Sequence, residues 1–489
     1  MSKIKHNENE NLAVKHTAFP YQREAVEAIR DKVYAAIFHE QGLGKTKIAI
    51  DILLYWIEKL EIDCVIIVTK KQLVSNWEEE FISHTHLKTR VLSNNRKDNF
   101  YIFNSNARII ITNFETISLE KERLKLFLET RNVGVIIDES TKIKNPNSKL
   151  TQDFFEIRTL FQKRIIMTGT PITNRPYDIW AQIFFLDSGC SLGVNFEEFK
   201  STTDLSNDLS DNKSKQLVFE ESVAEIFSRI KDFTVRETKD SGIITLPNKV
   251  YHDIYIDFER TQKEMYEHVR DDMQIMVQKG DSVILDESPE SIKRLLRLVQ
   301  ITSNPLLLDG LYGQISGKEA ELEKLISDII NRNEKVIVWS IFTDNIDYFT
   351  KKYSLHKAVK ITGKMNIEDR KISVKKFKEG DSKILFATPQ AAKEGLTLTV
   401  ANNVIFYDRG FSLDDYLQAQ DRIHRISQTK ECNIYNIMVN DSIDIWVNKL
   451  LQSKQNAAFL AQGDKSLSQY QQDSDYSYGE MIKDILKIK

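Results

Sequence analysis

The chain has 489 residues, 41% hydrophobic and 28% charged, which is ordinary for a globular protein and long enough for more than one hydrophobic core. Its 68 basic and 71 acidic side chains leave a net charge of −3, so a nucleic-acid partner has to be held by a local basic groove. No apolar run approaches the roughly 18 residues of a membrane span, and the three cysteines, Cys64, Cys190 and Cys432, lack the paired spacing of a zinc site or disulfide framework.

Residues 1–16 are polar, carry no signal-peptide core and read as a disordered lead-in, with the cytoplasm as the expected location. Phe19-Pro20-Tyr21-Gln22-Arg23 then opens a helical pattern through Ala25, Val26 and Ile29, with proline near its first turn. The apolar run Tyr34 to Phe38 leads into His39-Glu40-Gln41-Gly42-Leu43-Gly44-Lys45-Thr46, and Ile48, Ile52, Trp56 and Leu60 recur behind it at helical spacing. A strand, a glycine-bearing loop and a helix N-terminus gather free backbone N–H groups at one point, which suits a phosphate. Lys45 would reach the β/γ-phosphates and the Thr46 hydroxyl would bind Mg²⁺. The strict pattern has glycine where this chain has His39, and alone the string also suits an ordinary turn before a buried helix.

Further short apolar strands follow, each ending in a polar cluster. Cys64–Thr69 precedes Lys70, Lys71, Gln72 and Trp77, and Ile109–Thr112 precedes Asn113-Phe114-Glu115-Thr116. Val133–Ile137 precedes Asp138-Glu139, and Arg164–Met167 precedes Thr168-Gly169-Thr170-Pro171. That rhythm predicts a parallel α/β sheet with ligands at its carboxyl edge. Asp138 can hold Mg²⁺ and Glu139 can orient and deprotonate a water; an acidic N-cap for the next helix is the plainer alternative. Thr168, Gly169 and Thr170 could couple nucleotide state to motion through hydroxyl contacts with the acidic loop, although a turn closing a strand explains them alone.

Residues 191–315 break the rhythm and read as a mostly helical insertion and linker. A second alternating series starts at Lys335–Trp339 and continues through Ala358–Ile361, Lys383–Phe386, Val404–Tyr407 and Asn433–Ile437. The expected organisation is α/β: lobe one over 17–190, the helical middle, lobe two over 316–460, and a polar tail over 461–489 with one short helix. Gln462 to Tyr478 reads as disordered. In lobe two, helical spacing would put Gln418, Asp421, Arg422 and Arg425 on one face. That face is either a solvated charged surface or a source of arginines projecting onto a γ-phosphate, a role that can be worth ~10³–10⁵ in rate. In the second case hydrolysis requires closure of the lobes.

The ordered clusters together resemble the superfamily-two helicase-like ATPases, and specifically the Swi/Snf-type DNA translocases of a minimal bacterial or phage kind. Phe19 to Gln22 looks like the adenine-reading segment, with Gln22 as the contact. Val235-Arg236 and Leu246-Pro247 resemble the bridge between lobes, while Gly395 to Thr399 and Gln418 to Gln428 look like the last two motifs. His39 and Thr141 depart from the family pattern, as do the lysines at 70 and 71, where proline is usual. The resemblance implies two RecA-like parallel-sheet lobes, an ATP site using Gln22, Gly42, Gly44, Lys45, Thr46, Gly395 and Gln418, and bound Mg²⁺. It also implies backbone contacts to double-stranded DNA, which are independent of sequence. The matching positions are Lys70, Lys71, Gln72, Trp77, Asn113 and Phe114 in lobe one, and Ser340, Thr343, Thr362, Gly363, Thr388 and Lys393 in lobe two. A solvated loop is the plain alternative at 70–71.

The expected activity is DNA-stimulated ATP hydrolysis by a monomer tracking along duplex DNA, with target specificity supplied by a protein partner if it is not intrinsic. A strand-separating helicase, a motor subunit of a restriction or phage-defence complex, and a nucleotide-gated DNA-binding scaffold are the alternatives.

Overall fold

A computed structural model describes residues 11–243, 246–278, 289–392, 396–425 and 427–487. Residues 1–10, Lys393 and Gly395 lie outside the described residues.

Among the described residues, thirteen strands form two all-parallel sheets. In chain order the first sheet is built from β1 (Tyr34–Ile37), β2 (Cys64–Thr69), β3 (Thr89–Val91), β4 (Ile109–Asn113), β5 (Val133–Asp138), β6 (Lys163–Met167) and β7 (Thr234–Val235). Their order across the sheet is β3-β4-β2-β5-β6-β1-β7. Every residue of β2 and β4 is buried, because helices cover both faces of a parallel sheet and leave no solvent side. The helix Lys45–Glu58 covers one face with Ile48, Ile52, Leu53, Trp56 and Ile57, all at 1% exposure or less. Burying a side chain of that size is worth about 1.5–3 kcal/mol, so this helix start is anchored by its own core contacts.

The second sheet contains β8 (Lys249–Ile256), β9 (Val336–Trp339), β10 (Val359–Ile361), β11 (Ile384–Ala387), β12 (Asn403–Phe406) and β13 (Cys432–Val439), in the order β10-β11-β9-β12-β13-β8. The strands read from apolar runs fall where expected. β3, β7 and β8 were not expected, and β8 lies within the stretch read as helical. It pairs along its whole length with β13, from Lys249↔Cys432 to Ile256↔Val439.

The chain divides into two compact units. The first comprises residues up to Asp204, Glu220–Ile244 and Leu460–Asp464; the second comprises Leu205–Phe219, Thr245–Phe459 and Lys465 onward. Leu460–Asp464 is fastened in the first unit by Asp464, which accepts from Arg236 Nε at 2.7 Å and pairs also with its Nη2. The same arginine donates to the Phe38 carbonyl at 2.8 Å, at the end of β1.

The expectation of a disordered Gln462–Tyr478 is corrected. Leu467–Asp473 and Tyr478–Ile485 are helices, and Tyr470 and Tyr478 are each only 1% exposed. Their phenol rings supply the apolar burial that the surrounding Ser, Gln and Asp lack. Tyr478 OH also donates to the Ser206 carbonyl at 3.0 Å.

Candidate active site

In the first sheet, β5, β6 and β1 are neighbours, and register places Asp138 opposite Met167 and Met167 opposite Ile37. The acidic pair, the Thr168–Thr170 loop and the loop after β1 therefore leave the sheet from one row of its carboxyl edge. This is where a parallel α/β sheet places ligands.

The loop after β1 needs glycine twice, for different reasons. Gly42 has φ +88° with open space around it, so its requirement is conformational. Gly44 has φ +72°, and a Cβ there would also lie 2.2 Å from Gln22 Nε2. Gln22 is buried against the loop: its Nε2 donates to the Leu43 carbonyl at 3.3 Å, as Tyr21 OH does at 3.1 Å, and its Oε1 accepts from Phe19 N. Thus Gln22 and Tyr21 fix the loop from below. Lys45 opens the helix, and its Nζ donates to the His39 and Glu40 carbonyls at 2.9 and 3.2 Å. Thr46 is half-buried on the first helical turn beside it. A Cβ on Gly169 would lie 2.7 Å from Gln41 Cγ and 3.3 Å from Lys45 Nζ, so the loop after β6 is pressed against this one.

His39 is 2% exposed and its Nδ1 has no hydrogen-bond partner among the described residues. Burial, with the Lys45 charge adding to it, lowers its pKa from 6.5 to about 4, while the Val235 carbonyl pulls the other way. The imidazole at this position is neutral at physiological pH.

Asp138 Oδ2 accepts from Trp77 Nε1 at 2.8 Å and from Thr69 Oγ1 at 3.1 Å. Burial, and next the Glu139 charge, push its pKa up to about 6, against the pull of Trp77, Lys45 and Thr69. Glu139 adopts the left-handed conformation at φ +55°, which costs a non-glycine residue of order 1 kcal/mol and is characteristic of functional positions. Its Oε2 lies 3.6 Å from Lys70 Nζ.

The acidic loop and the loop after β6 are joined by a buried network. Ser140 Oγ donates to Gln182 Oε1 at 2.7 Å, and Gln182 Nε2 donates to the Pro171 carbonyl at 2.7 Å. Lys144 Nζ donates to Asp178 Oδ2 at 3.0 Å and to Thr173 Oγ1 at 2.5 Å. These two loops are thus joined through Gln182, Asp178 and Thr173.

Several positions assigned to DNA turn their side chains inward. Trp77 is 2% exposed because its indole serves Asp138, and Phe114 is fully buried against Phe154. Asn113 caps a helix by accepting from Thr116 N at 2.9 Å. In the second unit Ser340, Thr362 and Thr388 are buried. Ser340 Oγ donates to Asp408 Oδ2 at 2.6 Å, joined by Ser303 Oγ at 2.7 Å and, on Oδ1, by Ile341 N at 2.7 Å. That network shapes the edge of the second sheet from within; burial raises the pKa of Asp408 while its donors oppose the shift. Lys71, Gln72 and Gly363 are exposed, and Lys70 and Thr343 half-buried.

The helical face expected at 418–425 is also corrected. The helix Leu413–Gln420 ends before either arginine. Arg422 is 1% exposed, donating from Nε to the Gln418 carbonyl at 3.0 Å and from Nη1 to the Leu396 carbonyl at 3.3 Å, so it ties the end of this helix to the segment at Leu396. Gln418 is likewise buried, on Asp414 Oδ1 at 2.7 Å. Arg425 is half-buried, with Nη1 on Thr397 Oγ1 at 2.8 Å.

Residues 21–307 match the SNF2-related domain model, and residues 317–427 match the helicase conserved C-terminal domain. The chain belongs to the SNF2-related family. An uncharacterized ATP-dependent helicase of Mycoplasma pneumoniae is 29% identical to this SNF2-related chain over 448 residues, covering 89% of it and 41% of the relative. ATP-dependent helicase FUN30 of Saccharomyces cerevisiae is 25% identical, covering 87% and 44% respectively. ATP-dependent DNA helicase DDM1 of Arabidopsis thaliana is 26% identical, covering 71% and 47%. The chain thus spans less than half the length of these curated relatives. Among solved structures, the Sulfolobus solfataricus SWI2/SNF2 ATPase core in complex with dsDNA aligns at a TM-score of 0.43 and 24% identity, covering 99% of this chain and all of that one.

Proposed function

We propose that this SNF2-related chain is a DNA-stimulated ATPase that translocates on double-stranded DNA, remodelling protein–DNA complexes or replication and recombination intermediates. The observation that carries the reading is the convergence, at one sheet edge, of a left-handed glycine loop opening a helix, the lysine at that helix start, and a carboxylate pair. Relatives named as ATP-dependent helicases support it.

The residues fit Mg²⁺. The Thr46 hydroxyl and the Asp138 carboxylate are hard oxygen donors, and the ion is commonly held by one or two carboxylates plus substrate phosphates. Glu139 Oε2, a buried acceptor with no hydrogen-bond donor among the described residues, lies on the same edge. When bound, Mg²⁺ would neutralise charge on the β- and γ-phosphates. The loop amides cradle the phosphates, and Lys45 exchanges the His39 and Glu40 carbonyls for phosphate oxygens. Gln22 is the candidate adenine contact. Glu139 orients a water and accepts its proton as the water oxygen bonds to the γ-phosphorus. The bond to the β-phosphate's bridging oxygen then breaks, leaving ADP and inorganic phosphate. Arg425 is the second unit's candidate for stabilising charge on the transferred group. Lys70, Lys71, Gln72, Thr343 and Gly363 are the candidate contacts to the DNA backbone, and Lys393, beyond the described residues, remains a candidate from its motif alone.

The test is phosphate release with duplex DNA, single-stranded DNA and no DNA. Stimulation by duplex is expected, and equal rates in all three refute the translocase reading. Phosphate release that requires unwinding of a forked substrate would favour a helicase instead.

A further inference from the structure

The segment Thr69–Trp77 touches both carboxylates of the acidic pair. Thr69 and Trp77 donate to Asp138, while the Lys70 ammonium faces Glu139 at 3.6 Å. The two kinds of contact differ. Asp138 is held by hydrogen bonds of fixed direction from a buried indole and a strand-end hydroxyl. Glu139 Oε2 has no hydrogen-bond donor among the described residues, and Lys70 is the only cation that the structure places within 4 Å of it among those residues. Lys45 is engaged on the loop carbonyls, and Lys142 faces Glu115. The Lys70–Glu139 pair is therefore an attraction of charges without a directional bond. A lysine, a flexible and strongly hydrated point charge, is suited to make and break such a pair. Both side chains retain some solvent access, at 24% and 17%. Lys70 also begins the loop that exposes Lys71 and Gln72.

We propose that Lys70 is a positioning residue that restrains Glu139 in the absence of DNA, and that a DNA phosphate arriving at the Lys70–Gln72 loop draws the ammonium away and releases Glu139 to orient the attacking water. This rests on the DNA-stimulated ATPase reading and names how the stimulation arises. A phosphate oxygen competes directly with the carboxylate for the same ammonium, so no rearrangement of the sheet is required. Asp138 keeps its indole and hydroxyl donors throughout. The strained backbone at Glu139 fits a side chain held between two settings.

The experiment compares wild type, Lys70→Met and Lys70→Arg in phosphate release with and without saturating duplex DNA. Methionine keeps the length and packing of the stem and removes the charge; arginine keeps the charge. For Lys70→Met, DNA-free turnover should rise about two- to fivefold, the range open to a partly exposed ion pair. The ratio of stimulated to DNA-free turnover should shrink by about the same factor. Lys70→Arg should retain low DNA-free turnover. An unchanged or lower DNA-free rate in Lys70→Met, beside intact stimulation of the wild type, overturns the proposal and leaves the ATPase reading standing. An equal rise in both variants also overturns it, because the restraint would then be packing rather than charge. A wild type that duplex DNA does not stimulate overturns the reading and the proposal together.

Discussion

Substituting glutamine for His39 gives a test in which the structure fixes both sign and size. The imidazole is buried beside Lys45 and Arg236, and its pKa falls from 6.5 to about 4 on folding. A base whose pKa is depressed by folding resists protonation, so the stability it permits is present above pH 6.5 and lost as pH falls from 6.5 toward about 4. At pH 5 the unfolded imidazole is almost fully charged, whereas only about a tenth of the folded molecules carry the charge. The penalty accumulated between pH 7 and pH 5 is then about 2 kcal/mol, rising toward roughly 3.4 kcal/mol below pH 4. For a unit of about 230 residues, 2 kcal/mol corresponds to about 4–8 °C in Tm. Scanning calorimetry of wild type and His39→Gln at both pH values isolates the effect, since any cost of the substitution itself cancels in the double difference. The wild type should lose about 4–8 °C more than His39→Gln between pH 7 and pH 5. Equal losses would show that His39 is not buried neutral and would refute the account of this loop.

The other sites separate in the same manner. Gly169→Ala should cut ATP turnover at least tenfold with little change in Tm, because its methyl would sit 2.7 Å from Gln41 Cγ and 3.3 Å from Lys45 Nζ; normal turnover would refute the packing of these loops. Arg425→Ala should abolish most phosphate release while leaving thermal stability intact. Arg422→Ala should lower the stability of its unit by about 1–3 kcal/mol as two buried carbonyls lose their donor, and equal unfolding midpoints for the two variants would contradict the assignment. Asp408→Asn replaces an acceptor facing Ser303, Ser340 and Ile341 N–H with a group that is half donor. Denaturant unfolding should report a loss of about 1–3 kcal/mol, and a neutral result would mean the network repacks.

What the sequence disclosed follows from how each element is buried. Strands sandwiched between helices must be apolar throughout, so Cys64–Thr69 and Ile109–Thr112 announce themselves. β8 is an edge strand whose Tyr251, Asp253 and Tyr255 face solvent, and its alternation was submerged in a helical neighbourhood. Motif order singled out the glycine loop, the acidic pair and Gly169. It could not say which way a side chain turns. Trp77 follows the lysine loop in sequence yet serves Asp138 from the core, and Arg422 and Arg425, both beyond the helix end, differ in burial, the first enclosed and the second half-buried. His39 stood out as a departure, but its neutrality arises from burial, with the charges of Lys45 and of Arg236, nearly two hundred residues away, adding to it against the pull of the Val235 carbonyl.

The return of Leu460–Asp464 to the first unit has a consequence for how the molecule can be taken apart. The backbone changes unit after Asp204, Phe219, Ile244, Phe459 and Asp464. No single proteolytic nick can release either unit, and neither can be encoded as one uninterrupted open reading frame. A gene split after Phe219, Ile244 or Phe459 would yield two fragments that must recombine to restore both folds. Complementation between such halves would measure the strength of each crossing independently of catalysis.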